Sequence, residues 1–544
     1  MQSAAAARAL GLAYGACVLA AAPAALAQDG LFVDRNRLDT APPGAQPAPP
    51  PRGPAASAPA QAAPEMTLAG VSIAGESDPA ALDAIAARAA PLRGRPLTRE
   101  TLQALLDAVA AHYAAQDIAF SRAFAPPQDF AEGRVRLVVL KGYVSEIAVE
   151  GVSGRDARYL HARAAPLLAE RPLRNAALLR AMARLTEAPG LAVEARFEQT
   201  PGGDPNALRL RIAASRKRVA AGASVNNQGQ RLLGRTQYEL TAAANGVVHP
   251  GDRLQLYYGF PQQNDLYSYA ALSYAAPIGV RGLRMQLYAS SLRTRPEGLA
   301  IAGDAQTASA QLSYPLRESA EASTTISASL DALDSDNAFL GQLIARERTR
   351  VLRAGLSYVR VDGAARTQAY AAASFGMDAW GARAAPAYGG PEFAKLTARL
   401  AHERPLAPRA ILSARMTAQL GARRLPPSER LQFGGEAFGR GFDAGFASAS
   451  AGVAASTEAA RLFTFPGAPA SAAEGRLFAF ADGARLAADA VFATPGRTLA
   501  SAGMGLSVRF LRKFDARLTA AAPLAGAHDA NGEARLTFGL SATF

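Results

Sequence analysis

The sequence predicts a membrane protein of the all-β class. It reads as an antiparallel transmembrane β-barrel of about sixteen strands, preceded by two small α+β modules of β-α-α-β-β order. Three observations carry this reading. From about Arg218 to Phe544 apolar and polar residues alternate with period two, broken at regular intervals by Gly, Pro, Asn and Asp. From about Met66 to Arg216 helical and strand periodicities follow one another twice in the same order. No internal stretch approaches the ~20 consecutive apolar residues of a membrane-spanning helix, which excludes a polytopic helical protein.

Composition narrows the field. The chain has 544 residues, 58 Lys and Arg against 45 Asp and Glu, and a net charge of +13. Only 19% of residues are charged and 49% are hydrophobic, so bulk disorder is excluded. The single cysteine, Cys17, excludes a disulfide framework and CxxC metal sites. It falls in an apolar run, Ala9 to Ala24, between Arg8 and the small-residue sequence Ala25-Leu26-Ala27. That pattern predicts a cleaved secretory signal peptide over residues 1–27. A lipoprotein reading of Cys17 fits less well, because Tyr14 stands where a small aliphatic residue is wanted.

Residues 28–40, with Leu31, Phe32 and Leu38 among Asp34, Arg35 and Arg37, could form a short amphipathic helix. Residues 41–65 are Pro- and Ala-rich and read as a semi-rigid extended tether. The first module, 66–142, begins with a strand at Leu68 to Ile73. A helix from Leu82 to Ala90 follows, opened by Asp78-Pro79 as N-cap and first-turn proline. Thr98 caps a second helix, whose Leu102, Leu105, Leu106, Val109 and Tyr113 mark one buried face. Strands at Ile118 to Phe124 and Arg134 to Leu140 close the module. The second, 143–216, repeats the order: a strand at Val144 to Val149, helices at Ala157 to Ala169 and Arg174 to Glu187, and a hairpin of Leu191 to Phe197 with Ala207 to Ile212. Modules this small suit binding better than catalysis.

The last regime, 217–544, alternates strictly. Leu254, Leu256, Tyr258 and Phe260 interleave with Arg253, Gln255, Tyr257 and Gly259. Leu412, Ala414, Met416, Ala418 and Leu420 interleave with Ser413, Arg415, Thr417 and Gln419. Such strands fit a soluble sandwich with an apolar core or a membrane barrel with an apolar exterior. The final strand favours the barrel. It sets Leu536, Phe538, Leu540, Ala542 and Phe544 against Thr537, Gly539, Ser541 and Thr543. A barrel needs such a strand to pair with the first and leave no edge in lipid. About 325 residues at roughly 20 per strand give about sixteen strands.

Catalytic constellations are not apparent. The five histidines are scattered without metal-ligand spacing, so no catalytic residue, metal or cofactor is expected. Gly503-Met504-Gly505 lies within an alternating strand and is no nucleotide loop. The basic cluster Ser215-Arg216-Lys217-Arg218 suits phospholipid head groups better than nucleic acid, or is a solvated charge run. One segment breaks the alternation: Leu431 to Gly445, with Gly434-Gly435 and Gly439-Arg440-Gly441-Phe442-Asp443. Glycines around one arginine suit a tightly bent, closely packed loop. An arginine in a barrel lumen would seek a carboxylate, and Phe480-Ala481-Asp482-Gly483 offers one. A surface turn with a solvated arginine is the alternative.

At this point the chain resembles the two-partner secretion transporters of the ShlB/FhaC/HecB type, within the outer-membrane-protein-85 superfamily. Phe120-Ser121-Arg122, Pro127-Gln128-Asp129 and Gly133 resemble that family's signature in its first periplasmic module, with Lys141-Gly142 where Glu-Gly is usual. Asn226-Asn227-Gln228-Gly229, Gly251-Asp252 and Tyr274-Ala275-Ala276-Pro277 are similar to the start of its barrel. Gly439-Arg440-Gly441-Phe442 resembles the Val-Arg-Gly-Tyr motif of its sixth extracellular loop, and Phe480, Asp482 and Gly483 the partner wall. Gly439 departs from the valine, which would soften the loop, and the Gly-Asp-x-Gly expected near Gly452 is missing.

The resemblance implies two periplasmic POTRA domains (66–142 and 143–216), a sixteen-stranded barrel (217–544) and a loop six folded into the lumen. It also implies that residues 28–40 form a plug helix and that Ser121, Arg122, Pro127 and Gln128 carry a POTRA motif. Thr537, Gly539, Ala542 and Phe544 would form a C-terminal assembly signal. The expected function is export of one large haemolysin- or adhesin-like exoprotein, captured by the POTRA domains and passed through the pore without ATP. The expected partners are that exoprotein, outer-membrane lipid and the barrel-assembly machinery, with no nucleic acid and a monomeric state. A barrel-assembly factor and a diffusive porin are the rivals.

Overall fold

The computed structural model describes residues 66–128, 133–199, 203–263, 265–319, 321–340, 342–384, 390–421, 424–465, 473–488, 496–511, 513–526 and 533–544. The expected signal peptide, plug helix and tether lie outside the described residues, as does Asp129. The chain divides into two compact units, with the break between Lys217 and Arg218.

The first unit holds two modules of one topology. In the first, β1 (Gly70–Ala74), α1 (Pro79–Ala89), α2 (Arg99–Ala115), β2 (Ser121–Phe124) and β3 (Arg134–Lys141) form a sheet of order β1-β3-β2, with β1 parallel and β2 antiparallel to β3. The second repeats this with β4 (Tyr143–Glu150), α3 (Gly154–Ala164), α4 (Asn175–Thr186), β5 (Leu191–Gln199) and β6 (Ala207–Arg216) in the order β4-β6-β5. Local chemistry sets the helix starts. The Asp78 carboxylate accepts from the Ala80 N–H at 3.0 Å, and Thr98 Oγ1 from the Thr101 N–H at 3.2 Å. Leu102, Leu105, Val109 and Tyr113 all turn into the core against Val135, Leu137 and Val139. Each fully buried leucine contributes about 1.5–3 kcal/mol by removing apolar surface from water.

Several boundaries shift by a few residues from the sequence expectation, and two of the shifts have a direct physical cause. The helix expected over 157–169 ends at Ala164 and continues as a 3₁₀ turn, Ala165–Ala169, because Pro166 has no N–H to extend the α-helical ladder. The strand expected from Ile118 begins at Ser121. Its first residues join the modules instead: the Ala119 N–H donates to Leu173 O at 2.8 Å and the Asn175 N–H to Asp117 O at 2.8 Å. Gly142 lies at the same joint, where a Cβ would come within 3.0 Å of Phe120 Cβ. Phe120 in turn packs on Phe197, ring centroids 4.6 Å apart.

The second unit is a closed antiparallel barrel. Its strands are β7 (Val219–Asn226), β8 (Gln237–Asn245), β9 (Arg253–Pro261), β10 (Tyr267–Ile278), β11 (Leu283–Thr294), β12 (Ile301–Glu318), β13 (Ala322–Phe339) and β14 (Gln342–Asp362). They continue as β15 (Ala365–Gly376), β16 (Phe393–Ala407) and β17 (Ala410–Gly421), then β20 (Gly452–Thr464), β21 (Ala473–Leu486), β22 (Arg497–Phe510), β23 (Phe514–Ala525) and β24 (Arg535–Thr543). Among the described residues these sixteen strands close as β24 pairs with β7. Between β17 and β20 the chain forms the small hairpin β18 (Leu431–Phe433) and β19 (Ala447–Ala449), which is separate from the barrel sheet. Side chains follow the expected alternation: Leu256, Tyr258, Leu420, Leu536 and Phe538 face outward, whereas Tyr257, Thr417 and Gln419 are buried inside. Among the described residues no helix is long and apolar enough to cross a membrane.

The closing seam is short, with five residue pairs from Gly539–Asn226 to Thr543–Gly222. Asn227 lengthens it with its side chain. Its amide oxygen accepts from the Phe538 N–H at 2.7 Å, and its amide nitrogen donates to Leu536 O at 3.0 Å. Replacing it, Asn227→Ala, removes both bonds and is expected to weaken the seam by about 1–2 kcal/mol. The check is a lower temperature for the loss of folded-barrel mobility on gels.

Glu76 explains the lysine at 141. Its buried carboxylate takes hydrogen bonds from Tyr113 Oη, from Lys141 Nζ at 2.9 Å and from the Ser77 and Asp78 N–H groups. Burial alone would raise its pKa, but these donors outweigh it and hold the group at about 2, against an ordinary 4.5. Because the folded value is depressed, the contribution is complete above pH 4.5 and is lost as pH falls toward 2. Thermal unfolding followed at the helical circular-dichroism band should therefore show an acid-sensitive step in this window. Glu76→Gln should remove that pH dependence.

Candidate functional site

The lumen is the place where this barrel can keep charges, and the chain concentrates them around the segment between β17 and β20. This is the sixth connection on its side of the barrel. Its glycines bend it. Gly434 has φ +112° and a Cβ there would lie 2.1 Å from Asp443 O. Gly439 has φ +85°, and a Cβ would strike the Phe433 ring at 2.6 Å. The glycine that replaces valine therefore permits a tight turn over Phe433. Phe433 and Phe442 are both buried, with ring centroids 5.6 Å apart. Gly441 is equally constrained, since a Cβ would come within 2.8 Å of Ser501 Cβ and of the Ala522 backbone.

This turn delivers Arg440 to the barrel wall. Its Nη2 and Nε donate to the two oxygens of Asp482 at 2.9 and 3.1 Å, and its backbone N–H adds a bond of 2.9 Å. Nη1 reaches Glu458 at 2.7 Å and Nη2 also reaches Ser456 at 3.0 Å. The guanidinium lies 3.3 Å above the Phe480 ring centroid, an arrangement that adds a cation–π attraction. Arg440 is 5% exposed and Asp482 3%. Arg476 donates to the other oxygen of Glu458 at 2.7 Å, and Arg517 approaches the same carboxylate at 3.9 Å, so three cations gather on Asp482 and Glu458.

Register explains why these groups meet. Asp482 lies opposite Ser456 on one side and Ser501 on the other, while Glu458 lies opposite Phe480. Gly503, next in that row, leaves room for the Phe480 ring, which a Cβ would meet at 2.7 Å. Gly483 falls on the other face of β21 from Asp482 and Phe480, as strand alternation requires, and does not join the cluster. Glu458 and Ser456 were not singled out from the sequence. Their signal was present as acidic and hydroxyl side chains at even spacing among small inner-face residues of β20.

Other expected positions turn out to support structure. Gln128 bonds both backbone groups of Arg136, at 2.7 and 2.8 Å, where β2 no longer covers β3. Pro127 lies in the turn before it, and Ser121 and Arg122 pair with Lys141 and Leu140. Thr537, Gly539 and Ala542 lie on β24 against β23, and Phe544 is exposed beside Phe514. Asp252 is fully buried and takes the Val247, Val248 and His249 N–H groups, which pull its pKa down despite its burial. Arg216 of the basic cluster is occupied by Asp156 at 2.7 Å, so it is not presented to head groups.

The fork geometry of Arg440 makes a testable demand. Arg440→Lys keeps the charge but supplies one point donor where two carboxylates and a serine need several. It should release the loop nearly as fully as Arg440→Ala, because breaking a buried pair costs about 3–5 kcal/mol. A cysteine introduced at Ala444 should then gain at least about tenfold in labelling rate by a bulky water-soluble maleimide.

A model of the haemolysin secretion/activation proteins ShlB/FhaC/HecB matches residues 208–508, and one of the ShlB-type POTRA domain matches residues 66–142. No curated protein matches the chain in sequence. Among solved structures, CdiB from Escherichia coli is similar with a TM-score of 0.70 at 21% identity, over 88% of this chain and 90% of that one. CdiB from Acinetobacter baumannii gives 0.64 at 16% identity, over 90% and 91%. BamA from Haemophilus ducreyi lacking POTRA domains 1-3 gives 0.54 at 14%, over 88% and 100%, a likeness of fold alone. With more than half of its length matched, this chain belongs to the ShlB/FhaC/HecB family of outer-membrane transporters of two-partner secretion, its POTRA domains lying in the periplasm.

Proposed function

We propose that the protein exports one large exoprotein through its own lumen, and that loop six is the element the cargo must displace. The observation that carries this reading is the position of Arg440. It is buried against Asp482, Glu458 and Ser456 on the inner wall, not solvated at a surface turn. Charges held this way are reversible: their desolvation cost is recovered when water and a polar polypeptide enter. A family whose members secrete haemolysins supports a secreted partner, and the transporter role leaves no call for an enzymatic one.

The POTRA pair would capture the cargo by strand addition. Among the described residues each module's sheet ends on strands paired on one side only, β1 and β2 in the first and β4 and β5 in the second, and an extended peptide can add to such an edge. Export would proceed without ATP, which the periplasm lacks, and folding of the cargo outside would prevent its return. The chain would act as a monomer surrounded by outer-membrane lipid. Thr537, Gly539, Ala542 and Phe544 on the closing strand would present the signal read by the barrel-assembly machinery. The N-terminal region would supply a signal peptide over 1–27 and a plug at 28–40.

Two variants test the reading in cells making the exoprotein. Arg440→Ala and Asp482→Ala should each lower secretion at least about tenfold while barrel levels in the membrane stay near normal. Deleting residues 66–216 should abolish secretion while the barrel still folds, whereas a diffusive porin would keep its conductance. Normal export by both point variants would remove loop six from the mechanism.

A further inference from the structure

Loop six is anchored at a second place, and the chemistry there is the reverse of that at the tip. The segment that leaves β17, before the small hairpin, passes through Pro427–Glu429 as a short 3₁₀ turn. It places Glu429, 4% exposed, against the wall formed by β14 and β16. Arg353 forks onto it, Nη2 to Oε1 at 2.6 Å and Nη1 to Oε2 at 3.0 Å. Lys395 Nζ reaches Oε2 at 2.7 Å and also the Glu429 carbonyl at 3.1 Å, which Gln419 bonds as well at 3.0 Å. Asp331 balances the set, accepting from Arg353 Nε at 2.6 Å. Two cations and two carboxylates thus lie together out of water, and a third buried carboxylate, Glu347 on β14, takes a hydrogen bond from Ser428 of the same turn.

Register shows that the wall is built for this contact. Arg353 lies opposite Ser374, and Ser374 opposite Lys395, so the two cations stand in one row across β14, β15 and β16. Outward neighbours confirm their inward direction: Leu352 and Leu396 are each about half exposed. The tip is a cation held by an acidic wall on β20 and β21. The root is an anion held by a basic wall on β14 and β16. The basic wall lies on the β17 side of the loop and the acidic wall starts on β20, the strand the loop leads into, and no residue is common to both clusters.

We propose that Glu429 is a positioning residue for export, pinning the root of loop six independently of the Arg440 pair at its tip. With two anchors of opposite sign, no single charged stretch of cargo competes for both at once. An acidic segment can draw off Arg440 but is repelled by Glu429, and a basic one does the reverse. The loop would then leave the lumen only when both ends let go. Apolar packing would hold the root as well, but it would not weaken as water enters, whereas a buried ion quartet does.

This proposal rests on the reading of loop six given above, and its test separates the two. The full-length protein is placed in planar lipid bilayers in potassium chloride, and the fraction of time in open conductance is recorded. Glu429→Gln leaves two cations facing one carboxylate. The balanced double variant Glu429→Gln with Lys395→Gln keeps the Arg353–Asp331 pair and charge neutrality. Both should raise the open fraction at least about tenfold, with the folded-barrel gel shift retained, and adding Arg440→Ala should raise it further. Glu403→Gln, on an exposed part of β16, should leave the trace unchanged.

A closed trace in both Glu429 variants, with Arg440→Ala open, overturns the second anchor and spares the tip. A closed trace in all three overturns both readings. Failure of the balanced variant to form the gel-shifted barrel also overturns the proposal, because an anchor for a loop is dispensable for closing the wall.

Discussion

A polypeptide that crosses hydrocarbon must satisfy every backbone N–H and C=O within itself, and for strands this means closure. The rest of the protein follows from that requirement. Closure depends on β24 meeting β7, and the meeting is brief: five residue pairs, extended by the Asn227 side chain at one end and by the Ala221–Phe544 backbone bonds at the other. The pairing between β13 and β14 is far longer, and the β9–β10 ladder has seven pairs. The seam therefore leans on these added bonds more than a long ladder would.

Once closed, the wall has two solvents. Alternation sends Leu, Phe and Tyr to lipid and sends Arg, Lys, Asp and Glu inward, where they must find one another. The inner charges are not spread evenly. They gather where loop six folds in, acidic groups on β20 and β21 meeting Arg440 and basic groups on β14 and β16 meeting Glu429. The same physics that excludes charge from the exterior turns the interior into a set of reversible contacts. That suits a conduit that must be shut at rest and yield to a hydrated chain.

Much of this was legible in the sequence because period two is a strong local signal. The strands around Leu256 and Leu420, the apolar final strand and the two β-α-α-β-β modules could all be read from spacing. Arg440 stood out through its flanking glycines and Asp482 through its place near an inner-wall phenylalanine. What could not be read was register. Ser374 places Arg353 and Lys395 in one row only through cross-strand pairing, and Glu429 reaches them from a segment where alternation has stopped. Gly483 lies on the opposite face of β21 from Asp482, since neighbours in sequence on a strand face opposite solvents. Gln128 and Gly142 stood out only as parts of a family-like motif, and in the fold they complete a ladder and a joint.

On this account β21 separates lipid from a water-filled lumen residue by residue. Cysteines placed singly from Leu477 to Asp482 in the full-length protein, in membranes, address it most directly. Leu477, Ala479 and Ala481 should react with a lipid-phase probe, and Phe478, Phe480 and Asp482 with a small aqueous one that enters the lumen. Uniform reaction of all six with the aqueous probe would contradict the barrel and everything built on it.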